Sequence, residues 1–384
     1  LAYWANGELR IAEQELSEYI AEANAAGNKE LELTPLLAEM RMTMGNLYTA
    51  HEAYTNALQL VDEQQSSNGA EDLHRGVAEI YREWHNLDKS IEHLRIAEEL
   101  DEQHIIIPDW KHRYNVSWAR LKLTLGDFTS ALAHLDEAQN HYIRSSLPLV
   151  RPIPALKALV WIRQGQVQKA QAWADERGLG FDDPVSFIKE FEYLTFSRLL
   201  LAQFRTKHSQ EILKSAKHLL ENLRQVAEEN HRTGSLIEIL ILQAVCFELD
   251  GNTASALQYL EDALILAEPQ GYKQVFLDEG KTIQTLLETL SEQGIMQQYI
   301  TQLLSTRHKA QPQARIDDLF VESLSERESE VLRLLATELT GPEIAAHLMI
   351  SLSTMRTHSR NIYSKMSVNG RRSAIRRAQE IGLL

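Results

Sequence analysis

The stretch from Ile350 to Met366, ISLSTMRTHSRNIYSKM, carries three cations, a histidine and no acid, in a chain of 384 residues with a formal net charge of −15. Arg356 and Arg360 stand four residues apart with Thr357 between them. On a helix that spacing places both guanidinium groups on one face, a turn apart. Each offers two parallel N–H donors suited to a guanine edge or a phosphate, and Thr357 suits a thymine methyl or a phosphate oxygen. The alternative is a solvated helix face that happens to hold cations. The missing acids weigh against it, because solvated faces usually mix signs.

Such a face needs a helix held rigidly from behind. Ser351 supplies an N-cap, with Ile350 and Met355 at the spacing of a hydrophobic staple. Met355, Ile362, Tyr363 and Met366 then fall on one side of the predicted helix, and Ser353, Arg356, Thr357, Arg360 and Ser364 on the other. Upstream, LTGPEIAAHL pairs Thr340 with Glu343 as a capping box and Leu339 with Ile344 as a staple, which predicts a short helix from Gly341. Only MIS separates the two helices, so Thr340 to Ser359 reads as a helix-turn-helix. Before it, LSERESEVLRLLATEL begins with a further box, Ser325 and Glu328, and buries Val331, Leu332, Leu334 and Leu335.

This tail is electrostatically unlike the rest of the chain. From Ser323 onward nine lysines and arginines face six glutamates, giving +3 and leaving −18 for the preceding residues. A local field decides local binding, so an acidic body does not exclude a polyanion at the tail.

The body has a beat of about forty residues. ANGELRIAEQEL, TMGNLYTAHEAY, EWHNLDKSIEHL, TLGDFTSALAHL, RQGQVQKAQAWA and LDGNTASALQYL share a turn followed by an alanine-bearing apolar helix. Their turn residues Gly7, Gly45, His85, Gly126, Gly165 and Gly251 advance by 38, 40, 41, 39 and 86, the last step hiding a degenerate repeat near Phe204. Helix, left-handed turn and helix is the unit, and seven or eight such hairpins must share one elongated core. An α-solenoid over residues 1–305, a linker over 306–322 broken by Pro312, and a tail domain over 323–384 follow. The fold class is therefore all-α.

Other chemistry finds little support. Cys246 is the single cysteine, in an apolar run that marks it as a small core hydrophobe in a reducing compartment. Asp278 to Thr282, DEGKT, contains Gly-Lys-Thr but has Val275 where a phosphate loop needs its first glycine. His85, His93, His104 and His112 follow no metal-ligand spacing and read as solvated or capping side chains. Trp84, Trp110, Trp118, Trp161 and Trp173 suit either a concave groove or, more simply, the core. No apolar run is long enough to span a membrane. Neither paired carboxylates nor a nucleophile with its base point to an enzyme.

Along about sixty residues, LSERESEVLRLLATELTGPEIAAHLMISLSTMRTHSRNIYSKMSVNGRRSAIRRAQEIGLL resembles the LuxR-type DNA-binding domain, a four-helix unit. With repeats of tetratricopeptide type before it, the chain resembles the MalT-like family of large ATP-binding LuxR regulators. The resemblance implies a scaffold helix over Glu343 to Leu348 and a recognition helix over Ser353 to Met366. It places Arg356, Thr357 and Arg360 at bases or nearby phosphates, with Ser353 on the same face, and Thr354, Lys365 and Arg371 at the DNA backbone. His358 matches a position with either a structural or a phosphate role. The final helix, with Ala374, Ile375, Ala378 and Ile381, resembles the one through which such domains pair. Ser367 departs from the family's glycine and Arg372 from its threonine cap, which leaves the start of that helix open.

The implied function is a cytoplasmic, sequence-specific transcription regulator, an activator by resemblance, bound to double-stranded DNA as a dimer or oligomer. Its repeats would sense a small inducer or a partner protein, and the resemblance also admits RNA polymerase as a partner. No cofactor is expected for this chain. ATP is expected only for an amino-terminal module of the family that these residues lack, since LAYWANGELR reads as a start within a repeat. The rival is an interaction scaffold whose tail keeps the fold without binding DNA.

Overall fold

The computed structural model describes residues 2–25, 33–64, 69–101, 109–143, 149–309, 326–337, 339–348 and 350–365, with positions 370, 371, 374, 375 and 378. Every regular element among them is helical. Hairpins succeed one another: α1 (Ala2–Asn6) with α2 (Leu9–Ala25), α3 (Thr34–Thr43) with α4 (Leu47–Gln64), α5 (Ala70–Glu83) with α6 (Leu87–Asp101), and α7 (Trp110–Thr124) with α8 (Phe128–Asn140). They continue as α9 (Ile153–Arg163) with α10 (Val167–Arg177), α11 (Glu190–Lys207) with α12 (Gln210–Glu229), and α13 (Thr233–Leu249) with α14 (Thr253–Ala267). The short α15 (Gln274–Leu277) leads to α16 (Gly280–Glu292) and α17 (Gln297–Lys309), which carries the last repeat four residues beyond the boundary expected at 305.

The turns explain the beat. Gly45, His85, Gly126, Gly165 and Gly251 all have positive φ, 91°, 55°, 74°, 72° and 77°. The N–H of the following residue then reaches back five positions, as in Asn46 to Arg41 O and Asp127 to Lys122 O, at 2.8 and 2.9 Å. That pattern satisfies carbonyls the helix end would otherwise leave bare. The same following residue caps the next helix: Asp127 and Asn252 accept from the N–H of Ser130 and Ser255, each at 3.1 Å. One two-residue turn thus closes one helix and opens another. The degenerate repeat turns at His208, φ 51°, whose N–H donates to Phe204 O at 2.8 Å.

Alanines on the second helix of each hairpin, such as Ala50, Ala131, Ala170, Ala216 and Ala256, are fully buried and let successive helices approach closely. Cys246 sits in the same core, and burial pushes its thiol up to about 12, as expected of a small hydrophobe rather than a reactive group. Trp110 and Trp173 are core residues, whereas Trp84, Trp118 and Trp161 are partly buried beside it. Of the histidines expected to be solvated, His112 is instead buried against Ala138 O at 2.9 Å, and His93 pairs with His74 through Nδ1 atoms 2.8 Å apart. His85 is the turn itself, and His104 lies outside the described residues.

The coil is not an open groove. Its later hairpins return to its earlier ones, so that α13 packs on α3 and α15 on α5. Lys273 N donates to Glu83 O at 3.0 Å, Trp84 Nε1 to Gln270 O at 2.9 Å, and Tyr48 N to Gln270 Oε1 at 3.2 Å. A Cβ on Gly45 would stand 2.9 Å from Gly234 N, and one on Gly234 as close to Thr43 O, so this meeting needs glycine on both sides.

Candidate nucleic-acid interface

In the tail, a first helix (Glu326–Leu335), a scaffold helix (Gly341–His347) and a recognition helix (Leu352–Lys365) surround one small core. Val331, Leu332, Leu335, Ile344, Ala345, Leu348, Met355 and Ile362 fill it, with Leu334, Leu339, Ile350 and Tyr363 packed at its margin. All four residues of the two predicted staples thus lie in or against this core. The N–H and hydroxyl of Thr340 donate to Glu343 at 2.7 and 2.6 Å, which starts the scaffold helix at Gly341 as its capping box implies. These hydrogen bonds hold the Glu343 carboxyl below its usual range. Ser351 Oγ accepts from Thr354 N at 3.0 Å and starts the recognition helix. Ser325, the expected cap of the first helix, lies outside the described residues.

Met355, Ser359 and Ile362 point inward, all under a tenth exposed. Arg356, Thr357 and Arg360 are exposed along the opposite face, and neither arginine has an ion pair among the described residues. Thr354 is exposed at the helix start, engaged with Ser351, and His358 is half-buried. Ser353, Ser364 and Lys365 belong to the helix backbone, and Met366 lies beyond the described residues.

Arginines also stitch the unit together. Arg327 donates to Leu348 O at 2.7 Å and pairs with Glu330 at 2.6 Å. Arg371, expected at the DNA backbone, donates instead to Leu335 O at 2.9 Å and Thr337 O at 2.7 Å. Cations at helix C-termini satisfy bare carbonyls and meet the negative end of the helix dipole, so this guanidinium serves the fold. Ala374 and Ala378, expected at a pairing surface, are wholly buried in the tail core. Two alanines four apart mark a close helix contact, and here that contact is within the domain. Ile375 is half-buried and Ile381 lies outside the described residues.

The coil lines a partly open cavity of about 230 Å³. Its α5–α7 wall is a ladder of ion pairs. Asp72, fully buried, accepts from Arg75 at 2.5 Å and Arg113 at 2.9 Å, and both arginines also meet Glu39. Two turns along, Arg82 and Arg120 share Glu79 and Glu83. Burial raises the Glu79 carboxyl, but Arg120 and then Arg82 outweigh it and hold it at about 2. None of the five tryptophans considered for a groove lines this space, whereas Trp4 does. Nothing in its spacing singles Trp4 out, because the wall forms only when the coil closes. At DEGKT, Asp278 is paired with Arg163 at 2.9 Å and Gly280 begins α16. Among the described residues no group of histidine, cysteine and carboxylate side chains could hold a metal, and no helix is long and apolar enough to cross a membrane.

Residues 1–293 match the family described as "MalT-like TPR region", and residues 322–378 match "Bacterial regulatory proteins, luxR family". The chain is 24% identical over 373 residues to the HTH-type transcriptional regulator MalT of Vibrio campbellii, and 24% over 370 residues to that of Vibrio cholerae. With the protein of the same name from Yersinia enterocolitica the identity is 23% over 372 residues. In each case the match covers 90% of this chain and 40% of the relative.

Proposed function

Since the chain belongs to the MalT-like TPR family and ends in a LuxR-type domain, we propose that it is part of a transcription regulator that binds double-stranded DNA through its tail and receives an inducer or partner protein in its repeats. The carrying observation is the recognition helix: Met355 and Ile362 anchor one face, while Arg356 and Arg360 stand exposed on the other with no ion pair among the described residues. Phosphate contacts supply most of the affinity of such a face, and the two forks supply choice of base. Activation, pairing on the operator, contact with RNA polymerase and a cytoplasmic location belong to the same proposal, and the relatives' name as transcriptional regulators supports it. The test is a mobility-shift titration against a genome-derived site at several salt concentrations. Affinity falls steeply between about 50 and 200 mM salt, and Arg360→Ala weakens binding by about 1–3 kcal/mol. A weak, salt-independent interaction would instead favour a tail that serves protein contacts.

A further inference from the structure

Resting on the reading of the tail as a DNA-binding domain, we propose that Asn361 is a further base-reading residue of the recognition helix, one that selects an adenine in the major groove. Asn361 lies in the interior of the helix that runs from Leu352 to Lys365, and its side chain is exposed. Among the described residues its amide meets neither a carbonyl nor another side chain. Asparagine forms helices less well than alanine or glutamate, and an exposed site in mid-helix offers it no cap to make. The helix itself gains nothing from an asparagine there.

Successive side chains on a helix are turned by about 100°. Met355, Ser359 and Ile362, all under a tenth exposed, define the direction of the tail core. Thr357 stands opposite them to within about 15°. Arg360 and Asn361 lie on either side of that opposite direction, at about 50° each, whereas Arg356 is about 90° from it. Among the described side chains, Thr357, Arg360 and Asn361 are therefore the ones nearest the line that faces the floor of a groove. An arginine at the flank still reaches inward along its stem, but a carboxamide on a single methylene meets only what lies in front of it. Asn361 has the placement its short side chain needs.

The carboxamide holds one donor and one acceptor side by side. Adenine presents the matching pair, N7 and the N6 amino group, and no other base offers that pair in the major groove. Guanine presents two acceptors, which suit the fork of Arg360. Arg360 and Asn361 differ by about 1.5 Å along the helix axis, less than half the roughly 3.4 Å step between bases, so the bases they meet are near neighbours. Because Asn361 carries no charge, it releases no counterions, and its contact bears on the choice of sequence rather than on general affinity.

The full chain would be used to select duplexes from a randomised pool, beside Asn361→Ala and Asn361→Gln, and the selected sites titrated at several salt concentrations. The unmodified chain should enrich an adenine within about two base pairs of a guanine. Asn361→Ala should lose the preference at that position alone, with affinity for the selected site down about ten- to hundredfold, the salt slope unchanged and the melting temperature not lowered. Asn361→Gln, which carries the same amide, should keep the adenine. An identical selected sequence from Asn361→Ala, or a loss of affinity spread evenly over all duplexes, would overturn the proposal and leave DNA binding by the tail intact. Selection of no duplex by the unmodified chain would overturn both.

Discussion

Arg327 Nη2 donates to the carbonyl oxygen of Leu348 across 2.7 Å, tying the first tail helix to the residue that ends the scaffold helix. The recognition helix begins four residues later, so this bond helps fix the angle at which its face is presented. Replacing Arg327 with alanine should cost about 1 kcal/mol of tail stability, the usual worth of a hydrogen bond at a partly exposed site. Operator affinity should fall as well, but the slope of affinity against salt should stay the same, because Arg327 orients the helix without neutralising a phosphate. Losing a phosphate-contacting cation instead lowers that slope by about 1. Salt titrations of Arg327→Ala beside Arg360→Ala separate the two roles, and a lowered slope in the first would refute the positioning role.

Asp72 lies at the centre of the first rung, fully buried between Arg75 and Arg113. Changing it to alanine leaves two buried guanidinium groups with only Glu39 between them. Breaking a buried pair in this way costs about 3–5 kcal/mol, even where the intact pair adds little net stability. Denaturant unfolding of Asp72→Ala should therefore show a midpoint far below that of the unmodified chain. A change confined to a few tenths of a kilocalorie would mean that water reaches the rung.

Acid should destabilise the chain in two stages. His51, His85, His93 and His134 titrate below their ordinary value of 6.5, chiefly because burial disfavours the imidazolium. The unfolded chain binds those protons first, so stability is complete above about pH 6.5 and declines as pH falls below it. Glu79 and Asp278, each held at about 2 by arginines that outweigh their burial, contribute stability above their ordinary values of 4.5 and 3.8 and lose it as pH falls towards about 2. Melting temperatures measured at a series of pH values should show a shallow fall followed by a steeper one. A maximum near pH 5 would contradict the histidine stage.

His208 and His85 occupy the same left-handed turn position, yet they should respond differently to glycine. His208 is exposed, with only an edge contact to Phe204, so His208→Gly removes a strained β-carbon and should stabilise the chain by up to about 1 kcal/mol. His85 Nδ1 meets Gln274 Oε1 at 2.6 Å where the coil closes, so His85→Gly gives up that bond and should gain nothing. Thermal melts of both variants check the contrast, which fails if both are stabilised alike.

The turns were legible in the sequence because one residue with positive φ and one capping residue recur at fixed intervals, and even the irregular repeat near Phe204 resolves into a turn at His208. The helix-turn-helix was legible for the same local reason, since caps and staples lie within five residues of one another. Closure of the coil was not. It depends on Gly45 against Gly234 and Trp84 against Gln270, pairs far apart in sequence that repeat no pattern. Without closure there is no cavity, and Asp72, Arg75, Glu79 and Arg82 look like the wet side of an amphipathic helix although all four are buried. Ala374 and Ala378 misled in the opposite direction: small residues four apart announce a close neighbour without saying whether it belongs to the same domain.

An open stack of hairpins lengthens like a spring, whereas one whose segment at Gln270 and Lys273 is bonded to Tyr48, Glu83 and Trp84 acts as a hoop of fixed circumference. Widening its bore at one place must narrow it at another or part that clasp. A guest too large for the space would therefore register as a broken joint on the rim, at a distance from wherever the guest itself is held.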